Sequence, residues 1–273
     1  EGAPTNEPRQ PAAATMLWSL CGMWALSCSF YLGELGALAG RRARSLQLLG
    51  GAEDAANEAR LTVSMQVFTA LAADDPGRAA QELAAALQRW PRAGFVVERG
   101  HAFLAARAID LYIGDGARAW ARVDEGWPAF VRSYPYQGQH GRVLGEYWRG
   151  AAALLAAGEL RGDAGERLRK VAEAAARRIL GERAGWAGPL AQLLGAGVAF
   201  QRGRGGPALA ALTLAVAGFE AAEMRLWAAA ARHQACRLSG DVAGCAVQEQ
   251  QLRAQGAVAP ARLVAALVPG FAP

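Results

Sequence analysis

The chain has 273 residues, is 53% hydrophobic and carries a formal charge of only +5. Alanine, leucine, glycine and arginine dominate, whereas the strand-favouring isoleucine, threonine and tyrosine are scarce, so composition alone points to an all-α fold. Arginines alternate with acids, as in "ERLRKVAEAAARR", and form no concentrated basic stripe, so nucleic acid is not an expected partner.

Residues 1–14 are Pro/Ala-rich and polar and read as a disordered tail or linker; 15–273 read as one helical domain. Because the chain starts at Glu1 and not at Met, further coding sequence is expected before it. Thr15 to Gly33, "TMLWSLCGMWALSCSFYLG", is uncharged over nineteen residues, which is membrane-span length. Its Ser, Cys and Gly content and two mid-segment tryptophans favour a buried first helix instead, and no basic stretch precedes it as in a signal peptide. Cys21 and Cys28 lie seven apart on one helical face and read as small apolar packing residues. With Cys236 and Cys245 they form no C-x-x-C pair and no disulfide framework, which fits a reducing cytoplasm. Arg41, Arg42 and Arg44 form the densest basic cluster and read as a solvated helix face.

From there a turn-and-helix phrase recurs. "ELGAL" (Glu34 to Leu38) is followed by "DPGRA" ending at Ala79, "GARA" at Ala119, "DAGER" at Asp163 to Arg167, "RGGPA" at Ala208 and "DVAGC" at Cys245. The period is about forty residues, irregularly kept, with two helices per period. Single apolar stripes confirm the helical spacing: Ala79, Leu83, Ala86, Leu87 and Trp90, then Leu104, Ala108, Leu111 and Tyr112, then Val143, Tyr147, Ala151 and Leu154. Many stripe positions are small, which suits close antiparallel pairs.

Stop signals recur as well. Asp74 or Asp75, Asp115 and Asp163 are candidate N-caps, and Gly114, Gly158, Gly203 and Gly240 sit where a left-handed helix end is wanted. "RWPRAGF", "GWPAFVRSYP" and "AGFEAAEM" join Gly or Pro to an aromatic, which should end a helix and wedge between pairs. The expected architecture is therefore an α-solenoid of about six antiparallel helix pairs, each packed only on its neighbours, with a short helix from Pro260 to Leu267 capping the open end.

Each unit resembles a tetratricopeptide repeat, best seen in "FLAARAIDLYIGDGARAWARV", though longer and looser. "LAADDPGRAAQELAAALQRWPRAGF", "IDLYIGDGARAWARVDEGWPAFVRS" and "PARLVAALVPGF" together resemble the C-terminal region of multidomain bacterial serine/threonine protein kinases, of the type abundant in myxobacteria. These carry an N-terminal kinase domain, a central ATPase module and C-terminal helical repeats. The resemblance implies a TPR-like regulatory module whose partner is a protein or a sibling kinase or ATPase domain.

The chain itself holds no H-R-D, D-F-G or V-A-I-K segment, and the run "GRGG" lacks the G-K-[ST] of a phosphate loop. His101, His140 and His233 have no neighbour at metal-ligand spacing, and no serine sits in a G-x-S-x-G elbow. No catalytic, cofactor-binding or metal-binding residue is assigned, and no cofactor is expected. Trp90, Trp120, Trp127, Trp148, Trp186 and Trp227 read mostly as core wedges, with one or two facing a groove. Two functions follow: a non-catalytic protein–protein or interdomain interaction module of a kinase signalling protein, or a sensor and oligomerisation tail of an ATPase-linked transcriptional regulator.

Overall fold

The structure is a computed structural model that describes residues 12–48, 61, 63, 67–89 and 96–271. The wedge assigned to Trp90 and Phe95 lies outside the described residues, as do residues 1–11. All regular structure among the described residues is helical: α1 (Ala12–Leu32), α2 (Leu38–Leu48), α3 (Val67–Ala72), α4 (Pro76–Arg89), α5 (Val96–Ile113), α6 (Gly116–Val131), α7 (Tyr134–Gln137), α8 (Gln139–Glu159), α9 (Gly162–Gly181), α10 (Gly188–Gln201), α11 (Gly205–Ala221), α12 (Arg225–Ser239), α13 (Val242–Ala254) and α14 (Pro260–Leu267). A single 3₁₀ turn, Leu35–Ala37, leads into α2. Successive helices pack as adjacent pairs, most extensively α8 with α9 and α10 with α11.

The repeated turn phrase has a physical basis in three aspartates that do the same thing. Asp75 accepts from Arg78 N at 2.8 Å, Asp115 from Arg118 N at 2.9 Å and Asp241 from Gly244 N at 2.8 Å. Each satisfies a backbone donor that the first turn of a helix leaves without a partner. Asp163 differs: the cap position of α9 belongs to Arg161, and Asp163 lies inside the first turn, where its charge meets the positive end of the helix dipole. Gly114, Gly203 and Gly240 take left-handed backbone at helix ends as expected, but Gly158 lies within α8. Pro128 does not end α6, which runs on to Val131. Gly218 does not end α11 either.

The stripes face inward. Val143, Tyr147, Ala151 and Leu154 of α8 are fully buried, as is Ala79 of α4, while Leu87 sits at the edge of its stripe and is exposed. Close approach explains why α6 starts with Gly116: a Cβ there would lie 2.8 Å from the Ala156 nitrogen of α8. In α1 the expected packing of Cys21 and Cys28 is not found. Both are exposed, because the helix buries the other side, through Met23, Leu26 and Phe30.

Contacts are not confined to sequence neighbours. The last segment folds back across the start of the chain: Val258 N donates to Ala72 O at 2.8 Å and Gly36 N to Gln255 O at 3.0 Å. At that crossing a Cβ on Gly256 (φ +110°) would lie 2.5 Å from Gly36 N. Helix α14 has the predicted bounds, yet it packs against α5 as well as against the last pair, α12 and α13, where a cap on the open end was expected. Arg262 reaches Asp74 at 2.6 Å, and the Tyr147 hydroxyl donates to Leu267 O. Helix α1 in turn meets α12. The core is accordingly dominated by one cluster running from Met23 to Phe271, with two small separate clusters at Ala153, Ala156, Ala157 and Leu168 and at Ala119, Val123 and Ala152. Among the described residues, no helix is long and apolar enough to cross a membrane.

Candidate functional site

Where α1, α3, α5, α8 and α12 converge, packing leaves a cavity of about 540 Å³. Helix α1 lines it with Leu20, Met23, Trp24, Ser27, Phe30 and Tyr31, the i, i+3, i+4, i+7 spacing of one helical face. Phe68 comes from α3, and His101, Leu104 and Ala105 come from α5. Helix α8 and the turn before it add Tyr134, Pro135, His140, Leu144 and Trp148, and Trp227 comes from α12. Among the described residues, no Asp, Glu, Lys or Arg lines the cavity.

Few polar groups converge on this apolar wall. The Tyr31 hydroxyl lies 3.0 Å from His140 Nε2. His140 is held edge-on to Trp24, with ring centroids 4.9 Å apart, and lies against Trp186 at 5.6 Å. Burial, reinforced by the nearby His101, pushes the His140 pKa down to about 4, so its imidazole is neutral at physiological pH. Burial, with a smaller contribution from Cys28, pushes the Tyr31 hydroxyl far above its ordinary value, so it keeps its proton. The Ser27 hydroxyl is committed to Met23 O at 3.0 Å. Trp227 is fully buried, and its indole Nε1–H meets no acceptor among the described residues. A buried donor in that state costs about 1–3 kcal/mol unless something in the cavity accepts from it.

The ionic clusters elsewhere are structural clamps. Buried Asp110 receives Arg118 at 2.8 Å and Arg122 at 3.0 Å, tying α5 to α6. Desolvation nevertheless raises its pKa. Buried Glu146 of α8 accepts from Tyr136 at 3.2 Å and from Arg178 of α9 at 3.3 Å. Arg202 after α10 holds Glu166 and Glu173 of α9, each at 2.5 Å. Its hydrogen bonds, followed by those of Arg169, bring Glu166 down to about 2. Among the described residues no three His, Cys, Asp or Glu side chains gather as metal ligands would.

The sequence singled out three histidines, and two of them, His101 and His140, meet in this cavity although 39 positions separate them. The third, His233, is buried on α12, 3.5 Å from Glu249. Of the tryptophans, Trp148 and Trp227 are buried and face the cavity, whereas Trp120, Trp127 and Trp186 are partly buried. Trp127 wedges among Phe130, Tyr136 and the Arg149 guanidinium. Sequence reasoning missed Trp24, Phe30 and Tyr31. Their helical spacing was visible, but α1 is uncharged on every side, so nothing marked which side faces inward. No protein-family model, curated protein or solved structure matches this chain.

Proposed function

We propose that the chain is a non-catalytic, TPR-like α-solenoid that regulates by binding, acting as the C-terminal part of a cytoplasmic bacterial serine/threonine kinase signalling protein. The observation that supports it is the joint construction of the cavity. Its walls come from α1, from the middle helices α5 and α8, and from α12 near the end of the chain. Occupying it therefore biases how both ends of the helical array sit, as a module relaying a signal to an attached domain requires. The partner is a sibling kinase or ATPase domain, or a separate protein.

The test has two parts. The DNA immediately upstream of codon 1 is read for in-frame H-R-D and D-F-G segments; an upstream stop codon with neither removes the kinase assignment. The full parent protein is then assayed for phosphate transfer with and without residues 15–273. An unchanged rate and unchanged substrate choice overturn the regulatory role. The second reading, the sensor tail of an ATPase-linked transcriptional regulator, is favoured by the apolar cavity and is selected if the upstream DNA encodes a helix-turn-helix.

A further inference from the structure

We propose that the cavity is a binding site for an uncharged, planar aromatic small molecule carrying one hydroxyl or carbonyl group. This deepens the regulatory reading by naming the class of signal.

The volume, about 540 Å³, falls within the range of small-ligand pockets. Among the described residues its lining contains no charged side chain, so the described wall offers an ionic ligand nothing to pair against once it is stripped of water. His140 offers no substitute cation at neutral pH, because burial keeps it in its neutral form. Rings from α1, α3, α8 and α12 supply flat, rigid surfaces, which favour offset stacking or edge-to-face contact with another ring over an aliphatic chain.

Two polar features select the head group. The Tyr31 hydroxyl has one proton and two lone pairs, and among the described residues its contact with His140 leaves capacity for a ligand. Trp227, on the same wall, holds a buried indole N–H without a protein acceptor among the described residues. Trp24, 46% exposed, and Tyr134, 69% exposed, place the route to solvent on the side of the cavity formed by α1 and α7.

The experiment is calorimetric titration of the whole chain with 2-naphthol, followed by thermal unfolding at saturation. Saturable one-to-one binding with a raised Tm is expected. Naphthalene, which lacks the hydroxyl, should bind about tenfold more weakly. 2-Naphthoate, with the same rings and a negative charge, should bind at least tenfold more weakly, and 1-decanol no better than naphthalene. Tyr31→Phe should cut 2-naphthol affinity about five- to tenfold while leaving naphthalene unchanged, a comparison that a merely structural role for the hydroxyl would not reproduce. Ala105→Trp should abolish binding by filling the space. If that variant does not fold, the Tyr31→Phe pair of titrations decides alone. Absence of saturable 2-naphthol binding to folded chain overturns the proposal, as does equal affinity for the carboxylate or the alkanol. A null titration would leave the regulatory reading standing, because that reading is judged by phosphate transfer in the parent protein.

Discussion

On α8, α9, α11 and α12 the fully buried positions are largely alanine: Ala151, Ala152, Ala153, Ala172, Ala175, Ala208, Ala215, Ala229, Ala230 and Ala231. Where α1 meets α5, α8 and α12 they are replaced by Met23, Phe30, Trp148 and Trp227, with Trp24 and Tyr31 beside them. Alanine lets helix surfaces touch backbone to backbone, so the second half of the chain is dense. Large flat rings cannot interdigitate at that spacing; they hold helices apart and leave the volume the cavity occupies. One chain thus uses small residues where pairs must lock and rings where space is kept.

The contrast breaks most clearly at full-size deletions. Leu154→Ala on α8, at a fully buried position, should cost about 3–4 kcal/mol, whereas Leu20→Ala on the partly buried cavity wall should cost about 1 kcal/mol. Urea unfolding of the two variants measures both, and equal losses would erase the distinction between the regions. Acid should separate them next. The folded-state pKa of His140 lies below its unfolded value, so the unfolded chain binds the proton first and stability falls as pH drops from about 6.5 to about 4. The part due to His140 amounts to about 3 kcal/mol at most and should be missing in His140→Phe, which keeps the same-sign part of His233, also lowered by burial; both are read as the slope of stability against pH. A flat profile in the parent chain would show that His140 is hydrated.

Adding bulk reverses the sign of the comparison. Ala230→Phe in the dense half should destabilise by about 1–3 kcal/mol, while Ala105→Phe, pointing the same ring at the cavity, should change stability by less than about 1 kcal/mol. Thermal unfolding of both ranks them. The smallest effects concern caps: Asp115→Ala should cost about 1 kcal/mol because its carboxylate receives Arg118 N. Asp163→Ala, which removes only a charge near the start of α9, should cost a few tenths of a kcal/mol. Similar losses from the two would mean that Asp163 caps α9 in solution.

Much of the fold was legible because its signals are local. The stripe at Val143, Tyr147, Ala151 and Leu154, the cap aspartates Asp75 and Asp115, and the bounds of the last helix all rest on interactions within a few residues. Local signals also misled. Pro128 sits inside α6, and Gly218 admits the Pro189 ring instead of ending α11. The cavity was hardly legible. Trp148, Trp227 and His140 could be picked out as residues, but their meeting with α1 depends on contacts between segments up to two hundred positions apart. Cys21 and Cys28 show the same limit: an all-apolar helix does not reveal which side is inward.

The sequence by itself determined the helical class, a turn rhythm of about forty residues and several helix starts, because propensity, periodicity and capping act over one or two turns. Tertiary structure alone decided that the end of the chain returns to its beginning. Arg262 finds Asp74, Val258 binds Ala72, and α1, already packed on α2, also lies against α12, because pairings between segments so far apart in sequence are set by long-range burial and not by local signals. That closure, more than any motif, creates the aromatic-lined cavity.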